Sequence, residues 1–166
     1  MIAPSPGNSA GSSGVVFVTR RGKQITSDAA AADYRKASVL PWQLIHSAVA
    51  RAARASFIRG DYQTAVFQAF EEVEVAVRSA GHFADTDIGT DVMREAFDAQ
   101  KGPLRDATLP KSERESLAHL AAGAIGSYKN SHSHRTVTLS DPTYAVEMIF
   151  LASHLLRIID ARKPPI

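Results

Sequence analysis

The chain has 166 residues, enough for one domain with a core of its own and too few for two. Hydrophobic residues make up 45% and charged residues 22%, an ordinary globular balance, and the formal net charge of +2 admits an acidic partner without requiring one. With no cysteine, neither a disulfide framework nor a thiolate metal site can form. No apolar run approaches the roughly 20 residues that span a bilayer, and the N-terminus lacks the basic-then-apolar order of a secretory leader. The expectation is a cytoplasmic protein with no membrane segment.

Residues 1–14 are mostly Pro, Gly, Ser and Asn, with little to bury, and read as a disordered N-terminal segment. Residues 15–40 follow as a small unit. Val15 to Thr19 has strand character, Arg20-Arg21-Gly22-Lys23 makes a basic turn, and Gln24-Ile25-Thr26 offers a return strand, so a β hairpin is expected near Val15 to Ile25. Ser27 or Asp28 can cap a short helix running from Ala29 to Arg35. Residues 41–162 then read as a helical body.

The first long helix is expected from Pro41 to about Arg59. It has Leu44, Ile45, Ala48, Val49, Ala52, Ala55 and Phe57 on the apolar side and Arg51 and Arg54 opposite. Gly60 stops it and Asp61 caps the next helix, which runs to Ala80. There Tyr62, Ala65, Val66, Ala69, Phe70, Val73, Ala76, Val77 and Ala80 recur at three and four. Glu71, Glu72, Glu74 and Arg78 fall on the outer side as a solvated face, Phe67 lies off the stripe, and Gly81 reads as the stop. A short helix from Asp87 to Phe97 turns Ile88, Val92, Met93, Ala96 and Phe97 inward. The acids Asp85, Asp87, Asp91, Glu95 and Asp98 do not have the spacing of a calcium loop.

Pro110 to Glu113 opens a helix that runs to Tyr128 or Lys129. Its second half is thin, with Ala118, Ala121, Ala122, Gly123, Ala124 and Gly126, as suits close packing against a neighbour in the same or another subunit. Ser140-Asp141-Pro142 caps the final helix, which reaches Asp160 and is apolar nearly all round, so it belongs at the centre of a bundle or at a subunit interface. The fold expected is all-α, an antiparallel helical bundle with a short N-terminal β hairpin.

Between the last two helices lies Tyr128-Lys129-Asn130-Ser131-His132-Ser133-His134-Arg135. It holds two imidazoles, two fixed cations, a carboxamide and a phenol, and no carboxylate. Histidine titrates closest to neutrality, and cations beside it suit a phosphate. The competing reading is a polar inter-helix loop that stays solvated. His132 and His134 form a His-x-His pair that would need a third ligand from elsewhere to bind a metal, and no metal is expected. His46, His82, His119 and His154 read as core or surface histidines.

The stretch from Pro41 to Asp160 resembles an uncharacterised prokaryotic family of the HEPN group (higher eukaryotes and prokaryotes nucleotide-binding). The resembling words are Phe57-Ile58-Arg59-Gly60-Asp61-Tyr62 with Ala65-Val66, Glu72-Val73-Glu74 with Val77-Arg78, and Gly89 with Met93 and Ala96-Phe97. They continue with Gly123-Ala124-Ile125, Tyr128-Lys129-Asn130 with His134-Arg135, and Ala152 to Leu156. The group's mark is an arginine, a polar residue, a few variable positions and a histidine. Here the frame falls on Lys129, Asn130 and His134, with lysine where arginine is usual, and Ser131 stands where relatives favour proline.

The resemblance implies a homodimer that joins two motifs into a metal-independent endoribonuclease site, in proteins that act as toxins or in phage defence. His134, Lys129 and Asn130 would be catalytic, and Arg135, His132 and Tyr128 would contact RNA or a nucleotide, with no cofactor. The alternative is a non-catalytic HEPN-like module that binds RNA, a nucleotide or a protein partner, since lysine offers a point charge where arginine offers a fork.

Overall fold

The computed structural model describes residues 39–130 and 139–162, and the regular elements among them are all helical. The expected hairpin, the short helix before residue 36, and the stretch 131–138 with His132, His134 and Arg135 lie outside the described residues. The helices are α1 (Ser47–Arg59), α2 (Tyr62–Gly81), α3 (Gly89–Ala96), α4 (Lys111–Ile125) and α5 (Pro142–Asp160). A short 3-10 turn, Trp42–Leu44, precedes α1, and a π-helical turn, Gly126–Asn130, extends α4. These elements form a helical bundle and belong to one unit, Lys36–Ile166.

Helix α1 does not start at Pro41. After the 3-10 turn Ile45 is extended and buried, and His46 caps α1, its Nδ1 accepting from the Ala48 amide at 3.3 Å. The late start follows from α5. Ser153 Oγ accepts from the His46 amide at 2.8 Å, Asp160 pairs with His46 Nε2 at 2.7 Å, and Arg157 donates to the Leu44 carbonyl at 2.9 Å. Held in this way, the segment presents Leu44 to solvent at 60% exposure, and the inner face of α1 is Val49, Ala53, Ser56 and Phe57 rather than one that includes Leu44 and Ala55. Buried Ser56 is satisfied by Gln68 of α2 at 2.9 Å.

Gly60 closes α1 in the left-handed region at φ 82°, and Asp61 caps α2 through the Thr64 amide at 3.2 Å. This short connection folds α2 back along α1. The apolar stripe of α2 is buried as the spacing required, apart from half-buried Ala76, and α2 packs on both α1 and α5. Gly81 lies inside α2, and the left-handed stop is His82 at φ 58°. The Phe83 ring lies against Gly81, so that a Cβ there would have to push the ring aside. Helix α3 buries Val92, Met93 and Ala96, with Phe97 just beyond, but Ile88 precedes the helix in extended backbone and is 61% exposed, not inward.

After α3, the Asp98 carboxylate accepts from the Gln100 and Lys101 amides, and the Leu104 amide returns to the Ala96 carbonyl at 2.9 Å. A Cβ at Gly102 would sit 2.6 Å from that carbonyl and 2.7 Å from the Asp98 carbonyl. Asp141 caps α5 through the Thr143 amide at 2.8 Å, with Pro142 in the first turn. By length and composition α5 could cross a membrane, with a mean hydropathy of 1.2 over its most apolar window, but 44% of that window is buried within the bundle. Ala145, Met148, Ile149, Ala152, Leu155, Leu156 and Ile159 of α5 all enter the shared core.

The thin half of α4 is used unevenly. Gly126 lets α4 approach α3, since a Cβ there would stand 3.1 Å from Thr90 Cγ2, whereas a Cβ at Gly123 would meet nothing within 4 Å. Gly102→Ala is therefore expected to cost about 2–3 kcal/mol, because backbone atoms cannot yield to the added methyl. Gly123→Ala is expected to stabilise the chain by roughly 0.5–1 kcal/mol through helix propensity. Urea unfolding of the two variants checks the contrast, and a Gly102→Ala protein as stable as the parent would contradict it.

Candidate functional site

Three of the motif's candidate residues, Tyr128, Lys129 and Asn130, come from the π-helical turn that ends α4. A turn with the wider i to i+5 repeat changes the direction of the side chains that follow it, and such turns are frequent at functional sites. Here it lays the Tyr128 ring on Phe70 of α2, with centroids 5.2 Å apart and planes 29° apart. It also carries Lys129 to α2, where the ammonium lies 2.9 Å from Glu74 Oε1 and 5.9 Å from the centre of the Phe67 ring. Phe67, off the main stripe, is thus covered by Lys129.

Glu74 is the centre of this arrangement, and it is not part of a solvated face. Its side chain is only 3% exposed. Oε1 accepts from both Lys129 Nζ at 2.9 Å and Arg78 Nη1 at 2.6 Å, and Oε2 accepts from the Gly89 amide at 2.7 Å. Gly89 opens α3 with φ 74°, a left-handed value that suits glycine, and Ile88 before it supplies no side-chain cap. The Glu74 carboxylate takes over that duty from another helix, and negative charge at a helix N-terminus is favourable. One side chain of α2 therefore holds α3 and the end of α4 together.

A carboxylate taken out of water is costly unless paired and hydrogen-bonded. Burial by itself pushes the Glu74 carboxyl up. The Lys129 hydrogen bond, the Gly89 amide, the Lys129 charge and the Arg78 hydrogen bond together outweigh it, and the net direction is down from the ordinary 4.5. The group is charged at neutral pH. The motif itself holds no carboxylate, and the one that balances Lys129 comes from α2.

Of the candidate residues, Tyr128 and Lys129 are half-buried side by side, and Asn130 closes the same turn. His132, His134 and Arg135 lie outside the described residues. Sequence reasoning missed Glu74, Arg78 and Gly89 as parts of the site. A signal was present, since Glu74 lies four residues after Phe70 and three before Val77, both fully buried. His46 caps α1, His82 ends α2, and His119 and His154 are exposed. Among the described residues no group of three His, Asp or Glu side chains could hold a metal ion. Beside the turn, Leu120, Gly123, Ser127 and Tyr128 border a shallow hollow with Leu151 of α5.

Glu74→Gln should leave two cations without their counter-charge and cost about 2–4 kcal/mol at neutral pH. Because the folded-state pKa is depressed, this stabilisation is present above the ordinary 4.5 and lost as pH falls below it toward the folded value. The stability gap between wild type and Glu74→Gln should therefore be largest near neutrality and close on acidification. Denaturation curves taken across that range test it, and a gap independent of pH would refute the charge argument.

No curated protein and no solved structure matches the chain. The model of a family described as proteins of unknown function (Hypoth_ymh) matches residues 43–159, from the turn before α1 almost to the end of α5. The matched span takes in Glu74, Arg78, Gly89, Lys129 and the whole of the motif, and the chain belongs to this family.

Proposed function

We propose that the chain is a metal-independent endoribonuclease of the HEPN kind, acting as a cytoplasmic homodimer in a toxin or phage-defence role. The observation that carries this reading is the anchoring of the Gly126–Asn130 turn on a buried carboxylate. A costly buried charge is used to fix the root of the segment that holds the motif histidine. RNA supplies its own nucleophile. The 2′-hydroxyl oxygen bonds to phosphorus as a base removes its proton, and the P–O5′ bond breaks as an acid protonates the leaving oxygen. One His134 serves as base and the His134 of the second copy as acid. Asn130 orients the imidazole or the ribose, Lys129 and Arg135 stabilise the charge on phosphorus-bound oxygens, and His132 and Tyr128 contact the substrate. The hollow between α4 and α5, bordered by exposed Leu120 and open Gly123, suits a second copy next to the motif.

A second reading, a non-catalytic module that binds RNA, a nucleotide or a protein, is favoured by one feature. The Lys129 ammonium is committed to Glu74, and a point charge shared in this way is a weaker ligand for a developing phosphorane than an arginine fork.

His134→Ala should abolish cleavage of single-stranded RNA while leaving helicity and the dimer unchanged. Wild-type cleavage should persist in excess chelator. Gel analysis of mixed RNA substrates with light scattering of both proteins tests this. A wild-type dimer that leaves every RNA intact would favour the binding module.

A further inference from the structure

The motif has a lysine where a forked cation would serve phosphate better, and α2 brings a fork to the same place. Arg78 lies one turn beyond Glu74 on α2 and shares with Lys129 a single carboxylate oxygen, at 2.6 Å and 2.9 Å respectively. A guanidinium carries five N–H donors in a rigid plane. Nη1 of Arg78 is used on Glu74, and among the described residues the guanidinium makes no other hydrogen bond. Its side chain is 17% exposed, so it is neither sealed in the core nor loose at the surface. Tethered by one nitrogen to a buried carboxylate, the group has already lost most of its rotamer freedom, and little more entropy is spent when it binds an anion.

The electrostatics favour the same outcome. Two cations drawn onto one oxygen repel each other, and an incoming phosphate oxygen between them relieves that repulsion while leaving Glu74 in place. We infer that Arg78 is a phosphate-binding residue beside Lys129. Its remaining guanidinium donors take a backbone phosphodiester of single-stranded RNA beside Lys129, and Glu74 acts as the positioning residue for both. This assignment rests on the reading that the motif engages RNA, whether or not it cleaves it. It explains how the site works with lysine in the motif, since the planar fork comes from α2 instead.

The test uses the full chain and a fluorescein-labelled 2′-O-methyl oligouridine, which presents phosphodiesters but has no free 2′-hydroxyl to react. Anisotropy titrations are run over a series of salt concentrations. Arg78→Lys keeps the charge and the pairing with Glu74 but loses the fork, and should bind about tenfold more weakly with a melting temperature near that of the parent. Arg78→Ala should also bind more weakly, and its slope of log K against log salt should fall by about 0.7, the share of one phosphate contact on a single strand. Arg94→Ala, an exposed arginine on α3, should bind as wild type does.

Arg78→Lys and Arg78→Ala proteins that bind the probe as tightly as wild type, or a wild-type chain that does not bind it, would overturn the assignment. Wild-type binding lost in Arg78→Lys, with natural RNA left uncut, would support Arg78 while removing the ribonuclease reading. RNA cleavage with Arg78→Lys binding unchanged would do the reverse.

Discussion

A single carboxylate, that of Glu74, sets the arrangement of α2, α3 and the end of α4. It is buried, it is charged, and all three of its hydrogen bonds come from different places in the chain: one turn along its own helix, the first residue of α3, and the π-helical turn after α4. Each partner repairs a local deficiency. Helix α3 lacks a capping side chain, Arg78 points from a helix face that meets the core, and Lys129 sits where the α-helical repeat has given way. Ionic hydrogen bonds of this kind contribute direction more than bulk stability, because desolvation offsets much of the attraction. Their effect here is to define where the turn lies. Aromatic packing of Tyr128 on Phe70 then adds contact area to a position already chosen.

Much of the helical scheme could be read from residue spacing, and the reasons are local. The stripe of α2 from Tyr62 to Ala80, the Gly60–Asp61 junction and the Asp141–Pro142 start of α5 each depend on neighbours within a turn or two, so pattern and cap chemistry suffice. The start of α1 depends on α5, more than 100 residues away in sequence, and no local pattern near Pro41 reports it. Ile88 fits the helical period of the residues after it, but the helix begins only at Gly89.

The site was legible in part. Lys129, Asn130 and Tyr128 stood out by composition, and they do fall in one turn. Glu74 did not, because a glutamate among glutamates on a helix usually faces water. Its partner Lys129 is 55 positions away, and only the fold brings the two together. The words that carried the family resemblance include Glu74, Arg78, Gly89 and Lys129, four residues with no evident relation in the linear chain. They become one contact set in space.

The junction of α5 with the start of α1 has a consequence for how the chain is made. His46 receives its partners from Ser153 and Asp160, and the Leu44 carbonyl from Arg157, so the entrance of α1 is closed by α5. During synthesis α1 and α2 emerge early and can pair as a local hairpin. Trp42 can already pack edge-on against Phe57 of α1, but the hydrogen bonds that fix Leu44 and His46 form only once α5 has left the ribosome. Cooperative completion of the bundle is thereby deferred until α5 has been translated, and a nascent chain stalled before α5 would carry an apolar groove along α2 open to chaperones.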